Sequence, residues 1–139
     1  MITVEQANTL LAENFAPWVR ALLPEVMAIG PENAVLEIPV TPDIARVGGI
    51  VCGQSLATLA DTAMVFACAG HLGDFAPVAT TNLETRFLSA ARGERVRCAA
   101  QVIKGGRALL FAESSLIALP EDKPVAAASA TFFRPQAPA

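Results

Sequence analysis

The stretch GQSLATLADTAMVFACAG, residues 53–70, has the make-up of a buried helix yet carries a carboxylate, Asp61, with no other charged side chain along it. Its apolar positions, among them Leu56, Leu59, Ala63, Met64, Phe66 and Ala67, go round nearly the whole circumference of a helix predicted from about Gln54 to Ala69 and closing at Gly70. A helix apolar on all sides has to be wrapped by other elements, and the small residues on this one let a sheet come close. A lone ionised group in such surroundings costs several kcal/mol unless it is paired or hydrogen-bonded. Asp61 lies two turns inside the helix, beyond the reach of N-terminal capping. Two readings follow. Asp61 is an architectural residue accepting hydrogen bonds from threonine or backbone groups, or it lines a slot where partial burial raises its pKa and fits it to act as general base or nucleophile.

The second half of the chain supplies the wrapping. Four β-type segments, 78–88, 95–104, 107–119 and 125–134, are joined at SAARGE, GG and PEDKP, and KGGR (104–107) has the form of a two-residue hairpin. Upstream, EVMAIGPENAVLEIPV (25–40) places two short strands around a GPEN turn, and TPDIARVGGIVCG (41–53) is a glycine-rich loop leading to the central helix. Residues 3–23 have helical spacing, with a Thr3/Gln6 capping box at the start and Pro17 as the place for a kink. Short connections favour antiparallel neighbours, so the sum is one α+β domain over 1–139 with an N-terminal amphipathic helix (1–23) and a frayed tail (135–139). A long antiparallel sheet around one buried helix is the hot-dog architecture.

Composition narrows the function. Apolar residues make up 53% and charged residues 17%, where about 25% charged is usual, so few charges are left to cover a monomer and an oligomer is expected. A net charge of −3 with scattered Lys and Arg excludes a nucleic-acid surface and a basic membrane helix. No uninterrupted apolar run reaches the roughly 18 residues that span a bilayer, and the N-terminus lacks signal-peptide character. The chain is expected to be soluble and cytoplasmic. Three isolated cysteines, Cys52, Cys68 and Cys98, and one histidine, His71, suggest neither a disulfide framework nor a metal site, and a Ser-His-Asp triad is hard to build. His71 fits a dipole-stabilising position at the C-terminus of the helix.

An acyl-transfer site needs donors aimed at the developing oxyanion, and a glycine-led helix N-terminus, Cys52-Gly53-Gln54, offers free N–H groups. Asp61 lies eight residues on, about 12 Å along the axis, too far for both to touch one carbonyl. Two chains paired about a twofold axis, with their helices antiparallel, bring the start of one helix to the middle of the other.

The segments LADTA (59–63), TTNLETRFLSAARG (80–93) and ASATFF (128–133) together resemble the PaaI-like acyl-CoA thioesterases of the hot-dog superfamily, over about residues 47–134. The resemblance implies that Asp61 is the catalytic acidic residue and that Gly53, or the adjacent Gln54, supplies the oxyanion N–H. It also implies a homodimer, often paired into a homotetramer, with sites at the subunit interface. Many members have His-Gly-Gly where this chain has Cys52-Gly53-Gln54. The substrate is then an aromatic or medium-chain acyl-CoA, coenzyme A entering only as part of it, with no separate cofactor and no metal. Cys52, Thr81 and Asn82 are expected at the substrate slot, and Arg86, Arg92, Arg95, Arg107 and Arg134 are the cations available to the phosphates. A non-catalytic hot-dog protein that binds acyl-CoA or another hydrophobic ligand is the alternative.

Overall fold

Helix α3 (Gly53–Leu72) stands at the centre of the computed structural model, which describes residues 1–135. The expected tail beyond Pro135 lies outside the described residues. Ala60, Ala63, Met64, Phe66 and Ala67 of α3 are wholly buried. By length and composition α3 is apolar enough to cross a membrane, contrary to the expectation from uninterrupted runs, because its polar residues are too few to lower the average. Here that apolar surface packs against the sheet instead.

The sheet has six antiparallel strands in the order β1 (Glu25–Ile29), β2 (Asn33–Pro39), β6 (Arg95–Gly105), β7 (Leu109–Leu119), β8 (Lys123–Phe133) and β5 (Ala79–Phe87). Alternation turns Leu110, Ala112, Leu116 and Ala118 of β7 toward α3 and leaves their neighbours on the outer face. Between β2 and α3 the chain forms a small hairpin, β3 (Ala45–Arg46) and β4 (Ile50–Val51), turning through Gly48 and Gly49 at φ of +87° and +72°. The segment expected to be loop thus has paired backbone.

On the outer face one charge cluster ties the first half of the sheet together. Glu37 is 4% exposed, and its carboxylate accepts from Arg95 Nε at 2.6 Å and Arg97 Nε at 2.7 Å. Burial pushes that carboxyl up, but the two guanidinium hydrogen bonds outweigh it and hold it below its usual range.

The helix expected over 3–23 is two helices, α1 (Val4–Asn14) and α2 (Pro17–Arg20). The Thr3/Gln6 capping box forms, with Gln6 N–H donating to Thr3 Oγ1 at 3.1 Å and Thr3 N–H to Gln6 Oε1 at 2.9 Å. Pro17 then breaks the run rather than kinking it, because it holds Ala16 in an extended conformation (φ −57°, ψ 144°). Asn8 of α1 stands in for a missing strand: its side-chain amide donates to Val26 O at 3.0 Å and accepts from Val26 N–H at 2.8 Å, covering the β1 edge.

Two glycine assignments shift. α3 does not close at Gly70 but runs to a left-handed Gly73 (φ +73°). Gly70 is instead the point where the helix crosses the β1–β2 turn, and a Cβ there would collide with the carbonyl oxygen of Gly30. Likewise Gly105 is a strand residue with the His71 ring packed over it, so the β6–β7 turn moves on to Arg107 and Ala108, closed by Gly106 N–H on Leu109 O at 2.7 Å.

Gly70→Ala therefore has the opposite sign to an ordinary helical substitution. Alanine gains about 1 kcal/mol in an open helix interior, whereas overpacking against backbone costs about 1–3 kcal/mol. Denaturant unfolding is expected to place the variant below the parent in stability.

Candidate active site

Asp61 is half-buried on the face of α3 crossed by β5. The Thr80 hydroxyl donates to Asp61 Oδ1 at 2.9 Å. The second carboxylate oxygen has no partner among the described residues and remains accessible. Burial pushes the Asp61 carboxyl above its usual range, and the Thr80 hydrogen bond pulls it only part of the way back. The cleft in front of it, about 180 Å³, is lined by Phe15, Trp18, Val19, Thr58, Leu83 and neighbouring α3 residues, and no cation lines it.

A β-bulge makes this arrangement. Thr80 and Leu83 are three residues apart, and in an uninterrupted strand they would point to opposite faces. The register of β5 against β8 slips between Thr80 and Asn82, leaving Thr81 as the extra residue. Thr80 and Leu83 then both reach the Asp61 side. Thr81 donates to Thr131 O at 3.1 Å, and Asn82 is exposed, so neither is brought to Asp61. The pairing partner of Asp61 is their neighbour, Thr80, which simple alternation along TTN does not single out.

At the other end of the same contact, β5 lays Phe87 over Gly53, where a Cβ would stand 3.1 Å from Phe87 Cζ. Gly53 is the first residue of α3 and Cys52 its N-cap (φ −67°, ψ 148°), with Cys52 Sγ 3.1 Å from Ser55 Oγ. The first N–H groups of a helix have no intrahelical partner. Those of Gly53 and Gln54 find no backbone partner elsewhere among the described residues, and Gln54 is exposed. A second cleft, about 420 Å³, opens here between Arg46, Ile50, Gly53, Leu56, Phe87 and Ser89. Within one chain the acid and the donors therefore face different spaces, since Asp61 lines only the first cleft and Gly53 only the second.

The cations sort themselves by their existing bonds. Arg95 is committed to Glu37, Arg86 pairs with Glu84 at 3.1 Å, and Arg92 donates to Gly48 O at 3.2 Å. Arg107 and Arg134 also have interactions of their own. Arg46, on the β3–β4 hairpin, lines the Gly53 cleft; its place there follows from a hairpin that the loop sequence did not announce. Cys68 and Cys98 are buried, and burial pushes both thiols up to about 12, so they are inert. His71, in the last turn of α3, has Nδ1 3.7 Å from Glu32 Oε1, far along the helix from Gly53. A larger cleft, about 740 Å³, lies between the start of α1 and the end of α3; its acids, Glu5 and Asp74, are exposed.

A sequence profile of the thioesterase superfamily matches residues 48–125. Curated proteins give no match. Among solved structures, zebrafish thioesterase superfamily member 2 superposes with a TM-score of 0.85 at 26% identity, covering 97% of this chain and 100% of that one. A thioesterase from Haemophilus influenzae gives 0.84 at 22% identity over 96% and 90%. A mutant of the phenylacetic acid degradation protein PaaI from Thermus thermophilus gives 0.76 at 24% over 86% and 100%. The sheet wrapped on α3 is the hot-dog fold that these proteins share.

The environment of Asp61 has a consequence for stability. Its folded pKa lies above the unfolded value, so the folded state holds the proton more tightly and loses stability as pH rises from about 4 through the raised pKa. Asp61→Asn removes that loss. Thermal melts are expected to show the variant more stable than the parent at neutral pH, with the gap closing as the pH falls to about 4 and below.

Proposed function

We propose, from the premise that the chain belongs to the thioesterase superfamily, that it hydrolyses acyl-coenzyme A thioesters in sites shared between two copies. The observation that carries this reading is the division of labour on α3, with the carboxylate in one cleft and the free helix N-terminus in another.

The sheet edges favour a particular pairing. Asn8 covers the β1 edge, while β5 is nine residues long, unpaired on its outer side and flanked by exposed Leu83, Phe87 and Leu88. A bare edge of this length is a template for another strand. β5 runs antiparallel to α3, with Thr80 at Asp61 and Phe87 at Gly53. If two β5 strands pair antiparallel about a twofold axis between Leu83 and Glu84, Thr80 of one stands opposite Phe87 of the other, since 80 and 87 are equidistant from that axis. Asp61 then meets Gly53 of the partner subunit, and two equivalent sites form.

In each site the accessible oxygen of Asp61 takes a proton from water as the water oxygen attacks the thioester carbonyl carbon. Thr80 orients the carboxylate by holding its other oxygen. The negative charge that develops on the carbonyl oxygen is met by the N–H groups at the start of the partner's α3, with the positive end of the helix dipole behind them. Collapse breaks the C–S bond, releasing the carboxylic acid and coenzyme A, whose thiolate is protonated on leaving. Arg46 beside Gly53 is a cation for the coenzyme A phosphates.

Asp61→Asn preserves shape and removes basicity. It is expected to lower kcat on phenylacetyl- and hexanoyl-CoA by about a hundredfold or more, read as thiol release, with the fold intact. The acid limb of kcat/KM should lie above the ordinary carboxylate range and move higher in Thr80→Val, which loses the hydrogen bond that lowers the pKa. Undiminished turnover in Asp61→Asn contradicts the mechanism. Tight acyl-CoA binding by the parent without thiol release supports the ligand-binding alternative.

A further inference from the structure

The elbow between α1 and α2 lines the Asp61 cleft together with Leu83 of β5. Its first residue, Phe15, is anchored: the ring stacks on buried Phe66 at 5.5 Å between centroids and packs against Phe75 at 6.2 Å. Arg20 Nε donates to Phe15 O at 3.0 Å and fixes the turn. Trp18 is not anchored in this way. It is 63% exposed and lines the same cleft as Asp61 and Leu83. A large exposed indole lining the same cleft as a partly desolvated carboxylate is placed to meet whatever reacts there.

Building on the thioesterase reading above, we infer that the α1–α2 elbow is the acyl wall of the site and that Trp18 sets the size of the acyl group admitted, favouring a single ring or a comparably short chain over a long one. Two observations carry it. The cleft is bounded by Phe15, Trp18, Val19 and Leu83 with no Lys or Arg, so it suits the acyl end of the substrate, whereas the Arg46 cleft suits the phosphates. Its volume, about 180 Å³, is close to the roughly 150 Å³ of an apolar cavity known to hold one benzene.

Trp18 is the single tryptophan and there is no tyrosine, so intrinsic emission reports this one side chain. Titration with the non-hydrolysable thioether phenacyl-coenzyme A is expected to give a saturable change in Trp18 emission, and free coenzyme A none. In steady-state assays over phenylacetyl-, hexanoyl-, decanoyl- and tetradecanoyl-CoA, the parent is expected to favour the first two. Trp18→Ala should lose about tenfold or more in kcat/KM on phenylacetyl-CoA, chiefly through KM, and gain on the two long chains; Trp18→Phe should keep the parental order. An unchanged order in Trp18→Ala, or emission indifferent to the thioether, overturns the assignment. Emission that titrates in a protein releasing no thiol from any of the four refutes hydrolysis and leaves the acyl wall standing.

Discussion

The structure depends on keeping one carboxylate inside a helix that the fold needs to be apolar. α3 is the element every strand of the large sheet packs around, and its buried alanines let the sheet approach. Asp61 interrupts that apolar surface. Its partial burial is disfavoured for the charged form, and the one hydrogen bond from Thr80 offsets only part of the penalty. A carboxylate serving structure alone would be expected to have both oxygens satisfied, as Glu37 has with its two guanidinium groups. Asp61 keeps one oxygen open instead. The two acids show how partners decide the outcome of burial: Glu37 is held ionised by Arg95 and Arg97, while Asp61, with one hydroxyl partner, is left basic.

The strand beside the helix turns this local tension into a layout. β5 touches Asp61 with Thr80 and Gly53 with Phe87, so a single strand spans both chemical halves of α3. That strand is also the exposed edge of the sheet, the opposite edge being covered by Asn8. One element therefore carries the orienting hydroxyl, the cover of the helix start and the surface on which a second copy can pair. The separation of the two half-sites along the helix and the availability of the edge are consequences of the same geometry.

Much of this was legible in the residues. The all-round apolar make-up of 53–70, the alternation of the later strands and the isolation of Asp61 are strong local signals, because burial on one or all sides leaves a direct imprint on residue type. The features that escaped depend on contacts between distant segments. Nothing local in TTN says that Thr81 bulges, and the bulge decides that Thr80 is the residue on Asp61. Gly70 looks like a helix stop until the β1–β2 turn is laid against it, and Gly105 looks like a turn until His71 covers it. Pro17 was visible, but the elbow it creates matters only because its residues line the cleft of Asp61, far downstream in the chain. Arg46 belongs to the Gly53 cleft through a two-residue pairing too short to show in composition.

The central claim is that each site draws its acid from one chain and its oxyanion donor from another. Gly53→Pro removes the Gly53 N–H: proline is tolerated at the first helical position and Cys52 already has the extended conformation that a following proline requires, while the added ring meets Phe87, whose Cζ lies 3.1 Å from the Cβ position and has to shift slightly. Asp61→Asn removes the acid alone. Co-refolding equal amounts of the two variants, each almost inactive, is expected to restore about a quarter of parental turnover, since half of randomly formed dimers are mixed and each mixed dimer has one complete site of two. Turnover that stays at the level of the separate variants, with mixed dimers shown to be present, would contradict a shared site.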